Sequence, residues 1–460
     1  MSMDHNVTIN TEEKFEFTSK AKRNLVITLV VGLLLFALGA FMEMSGSSHH
    51  GEEHGDSHAM NVSISAQDHS EADSHDHAEA EHSEEGGHHG YSWIQKVYAN
   101  LWINNMFFMG LGIIGLFFFA IQYVARAGWS TMFIRIMLSF GHWIPIGGAL
   151  ILVVFLVAKH DLFHWTHDYL YNLTLSDGSP NPEYDSILAG KRSFLNEPFY
   201  LIRMVVAVAV WTLCFYLLRR NTLKEDVEGG TGFYYKSVTT STLFIIFFAV
   251  SSSIMAWDWI MSIDPHWFST MFGWYVFASW FVSGLAAITL LAVILKENGY
   301  LQGVNENHFH DIGKFIFGFS VFWTYIWFSQ FLLIYYANIP EETVYFWERL
   351  NSDHYAKFFY VNLFLNFFFP FLLFMTRESK RKFVMLKLVS VIVLIGHWSD
   401  FYLMITPGTL KEHGGLGFLE IGTAMIYLAL FLFVVLNGLS KMPLIAKNHP
   451  MLEESLHHDV

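Results

Sequence analysis

The residues best suited to chemistry lie in one aromatic segment, 256–274, which reads AWDWIMSIDPHWFSTMFGW. It holds two carboxylates, Asp258 and Asp264, and one imidazole, His266, but no lysine or arginine. Long apolar runs flank the segment, so we interpret it as a connection between membrane helices with tryptophans at the membrane–water boundary. Carboxylates that close to hydrocarbon are costly and usually have a partner or a task. The segment therefore predicts an ionisable site, the alternative being a solvated turn with an ordinary tryptophan belt.

Other ionisable residues fall inside the apolar runs themselves. His397 and Asp400 in GHWSDFY are three residues apart and should share one helix face. A carboxylate beside an imidazole orients it for proton transfer near neutral pH. His142 in SFGHWIPIG is expected near mid-membrane, where Pro145 should kink the helix. Glu420 lies one turn into the last span, after GGLG. For these residues a purely structural hydrogen bond between helices is the alternative.

Two more polar residues complete the set. Arg203 could pair with Asp258 or with a lipid phosphate, and Gln330 resembles Asn362 and Asn366 in needing only interhelical hydrogen bonds. We expect all of these groups except His142 in the outer half of the membrane or at its outer surface, and we expect the cytoplasmic half to be poor in ionisable groups. The hypothesis is a quinone-like cavity or an outward proton path, supported by Arg203 and Gln330. Its candidate residues are His142, Asp258, Asp264, His266, His397, Asp400 and Glu420.

The composition is that of a membrane protein. The chain has 460 residues, 53% hydrophobic and only 15% charged, where a soluble chain carries about 25% charged residues. The single cysteine, Cys214, excludes an internal disulfide, a cysteine-ligated iron–sulfur cluster and c-type haem attachment. The two deep histidines, His142 and His397, differ in depth, which argues against haem held between them. We therefore expect no haem, iron–sulfur cluster or covalent cofactor in this chain.

The elements that position these residues are ten apolar runs, each long enough to span a membrane. They predict an all-α polytopic membrane protein with ten transmembrane helices. Most of the 27 lysines and arginines fall on one side, which places both termini in the cytoplasm. Aligning Asp258 with Asp400 makes spans 2–5 and 6–9 two copies of one unit. This predicts two parallel four-helix bundles, with spans 1 and 10 at the periphery.

These spans define the predicted domain organisation. Between residues 46 and 90 there are ten histidines and eleven acidic residues, with no lysine or arginine. Such a segment cannot bury a core and should be disordered. Histidine with carboxylate can bind zinc, copper or nickel, but no fixed ligand spacing appears, so we prefer a solvated acidic insert to a metal site. The predicted segments are a cytoplasmic tail (1–23), the first span (24–45), a periplasmic insert (46–90), two four-helix bundles (91–258 and 259–405), the last span (406–440) and a cytoplasmic tail (441–460).

The segment DWIMSIDPHWFSTMFGWY, with ten spans and a histidine-rich outer insert, closely resembles one family. It is similar to the F subunits of alternative complex III, the second quinone-binding membrane subunits of quinol:cytochrome c oxidoreductases. These belong to the polysulfide-reductase (NrfD-like) membrane-subunit superfamily. The resemblance covers about residues 91–440 and is most specific at 256–280. The N-terminal extension and the insert fall outside the superfamily pattern.

The resemblance implies a bacterial inner-membrane location and a division of labour with partner subunits. The implied partners are an iron–sulfur subunit, multihaem c-type cytochromes and a paralogous quinone-binding membrane subunit, with room for a terminal oxidase. It allows a noncovalent menaquinone or menaquinol and surrounding lipids, and no nucleic acid. In this family the paralogue beside the iron–sulfur subunit is the better candidate for the working quinol site. Two other functions stay open: a stand-alone proton-coupled transporter and a non-catalytic scaffold subunit.

Overall fold

The computed structural model describes residues 10–49 and 92–459. Within them, ten helices are long and apolar enough to cross a membrane. In chain order they are α1 (Ser19–His49), α2 (Trp93–Ala125), α3 (Gly128–Leu162), α4 (Glu197–Glu228), α5 (Gly232–Trp259), α6 (Phe272–Glu297), α7 (Glu306–Ala337), α8 (Ala356–Leu373), α9 (Phe383–Leu410) and α10 (Phe418–Leu439). The described residues form no strand, only isolated bridges. The prediction of an all-α polytopic membrane protein with ten spans is confirmed.

The helices form two rings that share an interface. α2 packs on α3 and α5, α3 packs on α4, and α4 packs on α5. In the same way α6 packs on α7 and α9, while α8 packs on α7 and α9. α2 meets α6 and α9, and α5 meets α6, so α2 and α6 are the most buried spans. α1 lies outside, mainly against α10, which itself contacts α2 and α3. This packing agrees with the predicted grouping of spans 2–5 and 6–9.

Two spans are interrupted helices. α3 breaks between the helices Ile134–Phe140 and Trp143–Leu162. The cause is Pro145, which has no N–H to donate to the Gly141 carbonyl, and the Ile144 amide donates to that carbonyl instead at 3.1 Å. α8 contains a π-helical turn at Phe364–Phe368 before Pro370. Such turns often occur at functional sites, and this one carries the buried Asn366.

The N-terminal and C-terminal segments meet at one end of the bundle, called the basic end below because most lysines and arginines lie there. The Leu444 amide donates to the Glu13 carbonyl at 2.8 Å, and Lys447 pairs with Glu12 at 2.7 Å. A short helix, Leu452–Leu456, packs on the turn at Gly128–Phe133 that begins α3. At the opposite end, the helix Pro340–Asn351 lies over α7 and α9.

The second span begins at Trp93, and its first polar residues, Lys96 and Asn100, are buried against neighbouring helices. The predicted insert lies, from residue 50 to residue 90, outside the described residues. The domain boundaries stay a prediction.

Candidate functional site

Asp400 is the point at which all four helices of the second ring meet. Its carboxylate is fully buried on α9. It accepts a hydrogen bond from the Tyr275 hydroxyl of α6, one from Asn362 Nδ2 of α8 at 2.8 Å, and one from Trp323 Nε1 of α7 at 3.0 Å. All three donors are neutral. We call Asp400 with these three donors the Asp400 cluster.

His397 shares the face of Asp400 but not its hydrogen bonds. Its Nδ1 is 3.9 Å from the nearer Asp400 oxygen, too far for a hydrogen bond, and lies 2.9 Å from the Ser279 hydroxyl instead. His397 Nε2 has no hydrogen-bond partner among the described residues. The spacing therefore predicted the shared face correctly. The expected carboxylate lies at ion-pair distance from the imidazole, while the hydrogen bond of His397 Nδ1 is made with the closer Ser279 hydroxyl of α6.

Asp258 occupies the equivalent place at the end of α5 but has a charged partner. The Arg203 guanidinium of α4 donates to it through Nε at 2.6 Å and Nη2 at 2.8 Å. Both side chains are nearly inaccessible. Arg203 Nη1 also donates to the Phe194 carbonyl at 3.0 Å, and the Phe194 ring lies 3.9 Å below the guanidinium. Of the two partners considered for Arg203, the structure shows Asp258, in the bidentate geometry that guanidinium favours.

Asp264 lies above the second ring and contacts a buried arginine. Arg349 Nη2 is 3.5 Å from its carboxylate. The main task of Arg349 is elsewhere, because its Nε donates to the Leu403 carbonyl at 2.9 Å. Pro407 lies inside α9 and cannot supply the helical N–H that Leu403 would otherwise receive. Arg349 thus satisfies a carbonyl that the proline leaves open, and it joins Pro340–Asn351 to the end of α9.

Burial shifts the pKa values of the groups around Arg349. Burial raises the pKa of Asp264 above its ordinary range, and the Arg349 guanidinium opposes this shift. Burial also raises the pKa of Tyr345 to about 12, with Arg349 opposing and the carboxylates of Asp264 and Asp400 adding to the increase. Tyr345 thus lies within electrostatic reach of both carboxylates. It stacks on Trp267 with ring centroids 3.9 Å apart, which closes this end of the ring.

His266 is at the surface and belongs to a different contact. Its side chain is half exposed and hydrogen-bonds Asp185. Asp185 also caps the short helix Ser186–Lys191 by accepting from the Ile187 and Leu188 amides. Burial opposes ionisation of Asp185, but the bonds from Leu188 and His266 lower its pKa overall. His266 therefore ties two surface loops together.

Glu420 of α10 is fully buried at the end opposite the basic end. It contacts α2 directly and is linked to α1 through Lys96. It accepts from Asn100 Nδ2 of α2 at 3.0 Å and from the Gly417 amide at 2.7 Å. Lys96 lies 3.7 Å from Glu420 and also pairs with Glu43 of α1. A ladder of polar residues continues from here along α2. Asn104 donates to the Asn100 carbonyl at 2.9 Å and accepts from Trp398 Nε1 at 3.0 Å.

The two remaining candidates lie apart from these groups. Gln330 is buried and accepts from the Ser269 hydroxyl at 2.9 Å, which fits a structural role. His142 lies at the break in α3, where its Nδ1 is 3.0 Å from the Ser139 carbonyl and its ring packs on Phe215. It is also packed against Gly438, the last residue but one of α10. His142 therefore lies beside the end of α10 that faces the basic end, and its depth in the membrane stays a prediction.

The basic end holds a buried cluster of ionisable groups that the sequence did not predict. At the basic end Arg135 is fully buried, pairs with Asp226, and donates to the Thr222 hydroxyl at 3.0 Å. Glu225 is buried beside it, 3.4 Å from the Tyr123 hydroxyl. His449 packs on the same Tyr123 ring, and its burial, with Arg135 nearby, lowers its pKa to about 4. The sequence missed this cluster because residues 219–228 have the composition of a solvated helix end, whereas the C-terminal segment covers them.

Sequence reasoning also missed several partners. Tyr275, Trp323 and Arg349 carried no local signal, since aromatic residues and an isolated arginine are common near membrane surfaces. Asn362 was noticed but was given no role beyond packing. A search for four ionisable or amide positions at similar depth on successive spans could have brought Asn362 and Asp400 together.

Comparison with known proteins adds no identification. No protein-family model matches this chain, and no curated protein is significantly similar to it. The family resemblance of segment 256–280 therefore stays a prediction. Within the described part of the chain, no group of three or more histidine, cysteine or acidic side chains is arranged to hold a metal ion.

Proposed function

We propose that this chain is an integral membrane subunit of a quinol:cytochrome c oxidoreductase of the alternative complex III type. In this proposal it lies in a bacterial inner membrane with both termini in the cytoplasm. An iron–sulfur subunit, multihaem c-type cytochromes and a paralogous quinone-binding subunit carry the electrons, and a terminal oxidase can associate. The chain itself contributes a proton-handling site close to a menaquinol-like ligand.

The Asp400 cluster is the observation that carries this proposal. A buried carboxylate held by neutral donors can exchange a proton without leaving a buried cation unpaired. Nearby, His397 presents an imidazole nitrogen that has no partner among the described residues. An acid and an imidazole on one helix face are suited to accept protons from a quinol and pass them on. The Asp264–Arg349 pair and Tyr345 lie between this cluster and the end of the bundle opposite the basic end.

The distribution of charge supports the proposed orientation. The connections at the basic end hold most of the lysines and arginines, as cytoplasmic loops do. The Asp400 cluster, the Asp258–Arg203 pair and Glu420 all lie toward the other end. Protons released there would leave on the side where c-type cytochromes accept electrons.

The scaffold function is favoured for a different set of residues. Asp258 is locked by a bidentate arginine, and Arg349 is committed to backbone carbonyls. Groups satisfied in this way stabilise the packing of loops and helices. We therefore assign Asp258, Arg203, Asp264 and Arg349 to positioning, and only Asp400 and His397 to proton exchange.

The first test is purification of the tagged chain in mild detergent, with optical spectra for c-type haem and paramagnetic resonance spectra for iron–sulfur centres. Co-purifying haem and iron–sulfur signals would support the respiratory complex. A colourless chain that alone moves protons or a solute into liposomes would instead establish the transporter.

The second test compares two variants of the assembled complex. Asp400→Asn should lower quinol:cytochrome c turnover with the subunits still assembled. Asp177→Asn, which changes an exposed loop carboxylate, is the matched control and should be neutral. Unchanged turnover in Asp400→Asn would remove Asp400 from the reaction. Loss of assembly with full activity in what remains assembled would favour the scaffold.

A further inference from the structure

A groove of about 730 Å³ lies between α2, α6 and α7, on the boundary of the two rings. Six of its ten lining residues are phenylalanine, among them Phe117 from α2, Phe281 from α6 and Phe319 from α7. Trp274 lies at one end and Lys314 at the other. The Gly318 position faces open space, since a Cβ built there meets no atom within 4 Å. The groove is therefore shaped and lined for hydrocarbon.

The length of the groove suits one acyl chain. Phe281 and Phe319 are at the same level, because their ring centroids are 4.3 Å apart. Lys314 lies five residues from Phe319, and Trp274 lies seven residues from Phe281 on the other side. At 1.5 Å per residue the groove extends about 18 Å along the helices. Half of the hydrocarbon core of a bilayer is about 15 Å, so the groove accommodates one acyl chain.

The charge at one end selects the headgroup. Among the residues that the structure describes, Lys314 is the only charged one lining the groove, and its side chain is 50% exposed. One of its three N–H donors is used by Asp311, whose carboxylate lies 2.5 Å away and also contacts His458 at 2.7 Å. The remaining donors of Lys314 are available to a phosphate. Lys314 lies on the basic side of the groove, and anionic lipids are attracted to basic residues at the membrane surface.

We propose that this groove binds one anionic glycerophospholipid from the leaflet at the basic end. Its phosphate contacts Lys314, and one acyl chain lies along the phenylalanines toward Trp274. Because α2 belongs to the first ring while α6 and α7 belong to the second, the lipid fills the boundary between them. The proposal does not depend on the function proposed above.

The test uses the full chain in nanodiscs of phosphatidylcholine that contain a minor fraction of phosphatidylglycerol. After release into mild detergent, native mass spectrometry counts the phosphatidylglycerol molecules that stay bound. Lys314→Gln should weaken retention on the order of fivefold, the effect of one lysine on an anionic lipid. Gly318→Leu fills the groove and should reduce retention at least as strongly.

Matched controls separate the site from general effects. Lys224→Gln changes another half-exposed helical lysine that has an acidic partner on its own helix. Gly232→Leu changes another helical glycine with open space around its Cβ position. Both should retain the lipid as the unchanged chain does, and thermal denaturation verifies that every variant is folded.

Several results would overturn the proposal. These are equal retention in Lys314→Gln, equal retention of phosphatidylcholine, or an isoprenoid quinone in place of phospholipid in protein extracted from native membranes. If Gly318→Leu fails to fold, quenching of tryptophan fluorescence by phosphatidylglycerol with brominated chains replaces it. Quenching that is the same in the unchanged chain and in Lys314→Gln would then count against the site.

Discussion

Arg349 and Pro407 should be energetically coupled, although no hydrogen bond joins them directly. Pro407 leaves the Leu403 carbonyl without its helical donor, and Arg349 Nε supplies one at 2.9 Å. Replacing Arg349 with Met removes this donor and leaves a buried carbonyl unsatisfied. Replacing Pro407 with Ala restores an N–H that can reach the same carbonyl. Replacing Arg349 should therefore cost less stability in the Pro407→Ala background than in the unchanged chain.

The magnitude follows from the contacts that the two backgrounds share. Arg349 also donates to the Tyr345 carbonyl at 2.7 Å, lies 3.5 Å from Asp264 and covers the Tyr345 ring. These contacts are lost in both backgrounds and cancel in a double-mutant cycle. What remains is one buried carbonyl, which costs about 1–3 kcal/mol when unsatisfied. We expect a coupling free energy of about 1–2 kcal/mol, because hydrogen bonds within membranes are at the lower end of that range.

The assay is unfolding of the full chain and the three variants in mild detergent, followed by tryptophan fluorescence against denaturant concentration. Arg349→Met should be the least stable single variant, and the double variant should be less destabilised than the sum of the singles. Strict additivity would refute the assignment of Arg349 to the Leu403 carbonyl. A loss in the double variant that exceeds the sum of the singles would contradict the assignment as well.

Three further predictions concern individual groups. Asp400→Ala leaves three buried donors without an acceptor and should cost about 3–6 kcal/mol, whereas Asp400→Asn keeps an oxygen and should cost about 1–3 kcal/mol; equal thermal stability of the two variants would contradict the cluster. Arg203→Met strands the Asp258 charge and should cost about 3–5 kcal/mol, most of it recovered when Asp258 is also changed to Leu; failure of the second change to restore the melting temperature would argue against the pair. His449 is buried in its neutral form with a pKa of about 4, so protonation favours the unfolded C-terminal segment. The contribution of His449 to the stability of that segment, about 3 kcal/mol, is therefore complete above pH 6.5 and falls as the pH decreases toward 4. Proteolysis of the C-terminal segment should accelerate over that interval and lose its pH dependence in His449→Phe.

The sequence predicted the helices well because membrane spans are encoded locally. Twenty apolar residues in a row specify a spanning helix whatever surrounds them. The pairing of Arg203 with Asp258 could also be predicted, since both residues fall at the same end of adjacent spans. The rotation of each helix about its axis could not be predicted, because it depends on packing against all neighbouring helices. For that reason Tyr275 and Trp323, which lie 125 and 77 residues from Asp400, could not be assigned to it.

The basic end shows a second limit of sequence reasoning. Glu225 and Asp226 precede two glycines and follow several polar residues, a pattern typical of a helix that has left the membrane. They are nevertheless buried, because the C-terminal segment returns and Asn448 donates to both of their carbonyls. No local pattern predicts that a polar tail will fold back on a distant helix end. The depth pattern could not include this cluster, because its burial depends on the returning C-terminal segment.

The two aligned carboxylates show why position alone does not assign a role. Asp258 and Asp400 lie on the last helix of each ring, and each accepts a hydrogen bond from the preceding span of its own ring. Only their partners differ. Protonating Asp258 would leave the Arg203 cation buried without its counter-ion. Among the described residues Asp400 has no lysine or arginine partner, and its hydrogen-bond donors are an amide, an indole and a phenol. If a proton is exchanged within the spans at this end, the partners single out Asp400, and Asp258 serves to hold α4 against α5.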